Sequence, residues 1–380
     1  MKKIILLISA LSLLICCGPK QEEVERIMED GVEAVINHLE PYKIGGNPSY
    51  FSLEEELSID FSSDEIGSLG IADADEFEVA SDGTIYFTYS HKSDELIFQF
   101  DDKGRFQTSF GRKGQGPGEI RFILLSGIDA NDNLVISDHV NKKVITFCKN
   151  GNLVSEIRYP NTVWTIFPLN NGKYIGGWRK FTDPNADFFQ NGISLYDSSF
   201  KELKILDRYK MPSSIKKGYR GVNINEFFTW KISNGHIYIG NEDRGYEILK
   251  YDLDGNLLKK IRKEYTPVKV PADLIKERKG KSEGGRMKVW FPDYYLPICD
   301  FFPDDEGRLY IMTFEKGEKE REYWYDVFNP DGIFINRKKL KIYTWGEIAA
   351  CAQVKRNRLY CFEEEEDGFR VFKVYKMKWK

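Results

Sequence analysis

One unit returns along this chain: an alternating strand, a tight Gly, Asn or Asp turn, a second strand rich in Ile and Tyr, a loop, a third strand, another turn and a fourth strand. Its clearest copy comprises residues 77–80, the turn Ser81-Asp82-Gly83, 84–87, 96–100, the turn Asp102-Lys103-Gly104 and 105–110. Each piece alternates with period two and is rich in β-branched and aromatic residues, while glycine in the turns supplies the positive φ that tight hairpins need. The unit is therefore a four-stranded antiparallel meander. Further copies begin near residues 127, 165, 228, 300 and 349, and the last is one strand short. Because one such sheet cannot bury its own faces, the copies are expected to stack around an axis. An open last sheet would leave an unpaired edge. The alternating stretch Leu53-Glu54-Glu55-Glu56-Leu57-Ser58-Ile59-Asp60 lies ahead of the first copy and is assigned as the missing outer strand. The expected fold class is all-β: a six-bladed β-propeller of four-stranded antiparallel blades over residues 46–380, its last blade closed by an N-terminal strand. Spacing between successive turns runs from roughly 40 to 75 residues, compared with about 40 to 50 per regular blade. The excess is assigned to inserts, among them a helix over 271–278, entered at Pro271.

The N-terminus bounds the compartment. Lys2 and Lys3 precede an apolar run from 4 to 15, which reads as a signal peptide over residues 1–16. The run is shorter than the about 20 apolar residues of a membrane span, and polar residues 18–23 follow at once. Leu14-Ile15-Cys16-Cys17 resembles a bacterial lipobox, with Cys17 as the lipid attachment site, since a cut before Cys16 would put bulky Ile15 where a small side chain is wanted. Ordinary secretion is the alternative. Multiple acyl chains anchor a protein stably where one does not, so residues 17–45 read as a tether with a short strand at 31–36. The expected location is the bacterial cell envelope, lipid-anchored at the outer membrane, periplasmic or surface-exposed. Gln21-Glu22-Glu23 resembles the acidic surface-export tag of Bacteroidetes lipoproteins.

Composition excludes one class of partner. A net charge of −4, with 41% hydrophobic and 30% charged residues, carries no basic footprint for nucleic acid. Beyond the signal, the remaining cysteines are Cys148, Cys299, Cys351 and Cys361, and their spacing fits no zinc motif. Cys351 and Cys361 flank a hairpin turn near Arg356-Asn357, which leaves both a cross-strand disulfide and two buried thiols open.

The segment Phe100-Asp101-Asp102-Lys103-Gly104-Arg105-Phe106, followed by Phe110-Gly111-Arg112-Lys113-Gly114-Gln115-Gly116-Pro117-Gly118-Glu119, resembles the NHL-type six-bladed β-propeller lipoproteins of Bacteroidetes and related bacteria, within the TolB-like propeller superfamily. Asp82-Gly83-Thr84-Ile85-Tyr86 fits the same pattern. The resemblance implies the fold over nearly the whole mature chain. It implies much less about activity, because propellers host unrelated functions.

Residues 111–119 lack Walker spacing and a following helix, so the glycines and proline are expected to shape the crossing between blades. If that crossing lies at the channel mouth, Arg112, Gln115, Glu119 and Arg121 are candidate ligand contacts. Trp178, beside Arg179 and the long loop 180–190, is a candidate exposed platform for a sugar or peptide, whereas Trp164, Trp230, Trp290, Trp324 and Trp345 read mostly as filler between sheets. No catalytic set is legible. The leading expectation is a binding module for a protein, peptide or glycan at the top face, attached to the membrane through its N-terminal lipid and holding no metal or other cofactor. The alternative is a calcium-dependent hydrolase or lyase of the lactonase or amidating-lyase type, with its ion on the channel axis. Its candidate ligands are Glu78, Asp129 and Asp300, each of which has a duller role in capping backbone N–H groups near strand turns. The acidic run 363–367 reads as a solvated hairpin loop.

Overall fold

The computed structural model describes residues 24–380 except 46–47, 72–73, 75, 90–93, 181–187, 213–226, 277–291, 346–348 and 366–367. The signal peptide and Cys17 lie outside the described residues. Six four-stranded antiparallel blades follow one another along the chain. Blade one is Glu76–Val79, Ile85–Thr88, Glu95–Phe100 and Phe106–Arg112. Blade two is Ile123–Ile128, Leu134–Asp138, Lys143–Phe147 and Leu153–Arg158. Blade three is Val163–Pro168, Tyr174–Lys180, Phe188–Tyr196 and Glu202–Pro212. Blade four is Phe228–Ser233, His236–Asn241, Glu247–Asp252 and Leu257–Lys263. Blade five is Asp300–Pro303, Leu309–Lys316, Glu322–Phe328 and Phe334–Lys341. In each blade the first strand is innermost. Turns joining first to second and third to fourth strands form one face of the ring, the turn face, and the remaining connections form the opposite loop face.

Blade six joins Ala352–Lys355, Arg358–Glu364 and Arg370–Trp379 to Phe51–Asp60, which pairs antiparallel with the last strand from Asp60 opposite Val371 to Phe51 opposite Trp379. The expected closing strand is thus present and two residues longer than the alternation indicated. Phe51 is fully buried, with ring contacts at 6.2 Å to Tyr310 and 4.9 Å to Trp379. Rings also seal the junction with blade one, where Phe77 and Phe87 each lie 4.9 Å from Phe372.

Six turns share one lock. Asp101, Asp129, Asp197, Asp252, Asp304 and Asn329 each accept N–H groups from the residues two and four positions on. A short acceptor side chain in this position holds the turn by competing for backbone donors. Asp129 is therefore a turn residue and is not placed as a free axial acid.

The strand expected near 31–36 is Val32–Asn37, and Glu25–Glu29, which the periodicity did not indicate, pairs with it. Val32–Asn37 runs parallel to Leu257–Lys263, making blade four six-stranded. Ion pairs tie the hairpin down: Lys260 to Glu29 at 2.8 Å, Arg262 to Glu29 at 2.6 Å and Lys259 to Glu33 at 3.1 Å. Asn37 is fully buried and staples it to two blades. Its Nδ2 donates to the carbonyls of Arg262 (2.9 Å) and Gly332 (3.0 Å), and its Oδ1 accepts the Phe334 N–H (2.8 Å). The helical insert begins as expected over 272–276, and its continuation lies outside the described residues. Among the described residues no helix is long and apolar enough to cross a membrane, and the four cysteines are free thiols, Cys299 and Cys361 buried.

Candidate functional site

Because each blade contributes its first strand to the axis, the axis collects side chains from all six. They enclose a chamber of about 680 Å³ whose wall runs from mid-strand to the turn face. Ser81, Asn170, Asn234, Asp305 and Arg356 are exposed at that end and line its rim. Hydrogen bonds knit part of the rim from blade to blade: Asp305 accepts the Arg356 N–H (2.8 Å), Arg356 donates to the Ser81 carbonyl (3.0 Å), and the Ser81 N–H donates to Asp132 (2.9 Å). Deeper in the wall stand Glu78 from blade one, Ser126 from blade two, Trp230 and Lys231 from blade four, Asp300 from blade five, and Cys351, Gln353 and Lys355 from blade six.

These groups are arranged in opposite-charge pairs. The Glu78 carboxyl accepts from the Ser126 hydroxyl and the Gln353 amide, both at 2.9 Å. Burial pushes its pKa up, with Lys355 opposing the rise. Asp300 accepts the Ala350 N–H at 3.0 Å and faces Lys231 at 3.9 Å; burial raises its pKa and Lys231 partly offsets that. Lys355 donates to the Val79 carbonyl, and burial lowers its pKa against the pull of Glu78. The Cys351 thiol is pushed up to about 12, by burial first and by Glu76 next, so it stays protonated and weakly nucleophilic at neutral pH. Gln353 Oε1 is buried with no hydrogen-bond partner among the described residues. Among the described residues no histidine lines the chamber, and no three His, Cys, Asp or Glu side chains gather as metal ligands. Carboxyls, ammonium groups, an amide and an indole suit the wall to hydrogen-bonding a polar ligand.

The loop-face residues singled out from sequence lie elsewhere. Arg112 ends blade one, its carbonyl accepting the Ile120 N–H at 2.8 Å, and the Glu119 carboxylate accepts the Gly116 N–H at 2.8 Å. Fully buried Lys143 donates to the Gly116 carbonyl and to Glu156, which also accepts the Gly118 N–H. The loop is thus a braced crossing, as the glycines and proline indicated. Arg112, Gln115, Glu119 and Arg121 sit together on it, and none lines the chamber.

Trp178 is not an exposed platform. It is 4% exposed, its Nε1 donates to Ser194 Oγ at 2.7 Å, and its ring covers Gly192, its cross-strand partner. A Cβ on Gly192 would lie 2.1 Å from the indole, so the glycine makes the space that buries it. Trp164, expected as filler, is 45% exposed, and Trp230, also expected as filler, lines the chamber. Trp290 lies outside the described residues. Alternation alone could not separate Trp164 from Trp178, because a bulge resets the strand between Val163 and Thr165.

Residues 71–229 match the family model DUF5128, described as a 6-bladed beta-propeller. No curated protein sequence matches the chain. Among solved structures, a presumed exported protein of Bacteroides fragilis NCTC 9343 is similar at 13% identity and TM-score 0.49, covering 91% of this chain and 99% of that one. A member of the duf4221 family from Bacteroides vulgatus follows at 12% identity and TM-score 0.49 (88% and 100% covered). A gluconolactonase from Xanthomonas campestris has 11% identity and TM-score 0.42 (80% and 86% covered). Likeness at this level carries no activity across. Strand order, pairing and the family model agree that the chain is a six-bladed β-propeller.

Proposed function

We propose that this chain is a lipid-anchored protein of the bacterial cell envelope, held through Cys17, that binds part of a peptide or glycan in its axial chamber. The chamber carries the reading: its volume of about 680 Å³ lies within the roughly 300–1,000 Å³ of ligand pockets, and a few polar groups around an aromatic wall are what such pockets use for orientation. The ligand then enters from the turn face, opposite the loop-face mouth expected from sequence. The signal sequence and lipobox-like cysteines support the compartment.

The second reading is a calcium-dependent hydrolase or lyase. It rests on Glu78 and Asp300, which line the chamber from two blades, and Asp129 lines it from a third while holding its turn. It needs several oxygen ligands within about 2.3–2.6 Å of one point. The test is to incubate the protein with envelope extract, recover bound molecules by native mass spectrometry, and measure calcium on the same sample. A bound oligomer that is lost in Trp230→Ala is the expected result. Stoichiometric calcium with turnover of a lactone would replace binding by catalysis. For the anchor, Cys17→Ser should move the protein from the membrane fraction to the soluble one.

A further inference from the structure

The axial chamber has two unlike sides. Along strand Phe228–Ser233 of blade four, successive side chains fall on opposite faces. Trp230 and Ile232 pack against the core that blades three and four share, while Lys231 turns the other way and meets Asp300 of blade five at 3.9 Å. The wall on the blade-three side is apolar: Leu125 from blade two, Phe167 and Leu169 from blade three, Trp230 and Ile232 from blade four. Gly127 makes room for it, since a Cβ there would collide with the Phe167 ring. At the turn face the same wall continues outward to Leu253, in the turn between the third and fourth strands of blade four. That turn is held to blade three, because the Leu253 carbonyl accepts the Asn171 side-chain amide at 3.0 Å.

Blade six stands opposite blade three in the ring, and the wall there is polar. Asp300 accepts the Ala350 N–H at 3.0 Å, and Gln353 donates to Glu78, which also accepts the Ser126 hydroxyl, both at 2.9 Å. Ammonium, carboxyl, amide and hydroxyl groups thus offer donors and acceptors side by side. The six turns that join first to second strands frame the mouth, and all of them lie among the described residues.

A ligand that fills this space needs a polar edge and an apolar one. A saccharide carries hydroxyls around its whole rim, and hydroxyls set against aliphatic groups lose hydrogen bonds to water without replacement. Leu125, Leu169, Ile232 and Leu253 make much of the apolar side aliphatic. A peptide has both edges, since its backbone supplies N–H and C=O groups and one side chain can be wholly apolar. We propose that the chamber takes a peptide, with a leucine- or phenylalanine-sized side chain against the blade-three side and backbone amides on the blade-six side. This rests on the reading of the chamber as the ligand site.

The experiment is calorimetric titration of the full chain in detergent with acetylated, amidated pentapeptide mixtures, the central residue fixed as Leu, Phe or Ala and the flanking positions randomised, and with cellotetraose as a separate titrant. The Leu- and Phe-centred mixtures should bind at least about tenfold more tightly than the Ala-centred one, and should lose that advantage in both Trp230→Ala and Leu253→Ser. Leu253→Ser, in a surface turn, keeps the test decisive should Trp230→Ala fail to fold. Cellotetraose binding that is lost in Trp230→Ala, or equal affinity for the Ala-centred mixture, would overturn the peptide and leave the chamber standing as a ligand site. Absence of binding by every titrant would overturn the peptide, and the recovery of a Trp230-dependent ligand from envelope extract then decides the chamber separately. Peptide binding unchanged in the folded variants would overturn both.

Discussion

Replacing Asn37 with leucine tests whether the N-terminal hairpin is part of the folded ring or merely lies on it. The amide makes three hydrogen bonds, to the carbonyls of Arg262 and Gly332 and from the Phe334 N–H, all in a fully buried setting. Leucine keeps the volume and removes all three. Counting only the Gly332 carbonyl and the Phe334 N–H as left short of a partner, at about 1–3 kcal/mol each, the loss is about 2–6 kcal/mol. Because each 1.4 kcal/mol is tenfold, hydrogen exchange of the Phe334 amide and of strand Val32–Asn37 should quicken at least about 30-fold, while blade one is unaffected. Asn37→Asp adds a second expectation of opposite pH character. An ionised carboxylate would face two carbonyl oxygens, so the folded pKa must rise above the ordinary about 3.9. A raised folded pKa means stability present at low pH and lost as pH climbs from about 4 through that higher value. The aspartate variant should therefore lie nearest wild type at pH 4 and furthest at pH 7, whereas the leucine variant keeps a constant deficit. Unchanged exchange in Asn37→Leu, or a pH-independent deficit in Asn37→Asp, would refute the reasoning.

Gly192→Ala places a methyl against the Trp178 indole and should cost about 1–3 kcal/mol by overpacking, visible as a lower denaturant midpoint with altered near-ultraviolet dichroism. Phe51→Ala removes a fully buried ring at the end of the closing strand and should cost about 3–5 kcal/mol, read by chemical denaturation. Glu78 is held at a raised pKa by burial, so its contribution is present below its unfolded pKa and lost as pH rises through the folded value. Glu78→Gln should consequently gain on wild type between pH 4 and pH 7, checked by unfolding midpoints at both.

The ring was legible because its signals are local. The alternation of 53–60 and the Asp-Gly turns each declare a strand or a bend from within a few residues, and the closing strand follows once the last copy is seen to be short. The hairpin of blade four was half legible. Val32–Asn37 alternates, but Asn37 takes its partners from residues 225 to 297 positions away, and no local pattern marks that. At the axis, Glu78 and Asp300 could be named because acids on inner strands are conspicuous. Lys231 and Gln353 could not, because which face of a first strand meets the chamber depends on how the blades are rotated. The exchange of Trp164 for Trp178 has the same origin, since one inserted residue reverses the side of the sheet on which every later side chain falls.

Joining a strand from the N-terminal part of the chain to the last strand has a consequence for assembly. Phe51–Asp60 has no ring to enter until the segment ending at Trp379 has been made, so it must wait as a bare β-edge, the kind of surface on which nascent chains stick to one another. Glu54, Glu55 and Glu56 give that waiting edge three like charges in a row. On arrival the same three meet Lys378, Lys373 and Arg358, so the repulsion that discourages premature partners becomes the attraction that selects the proper one.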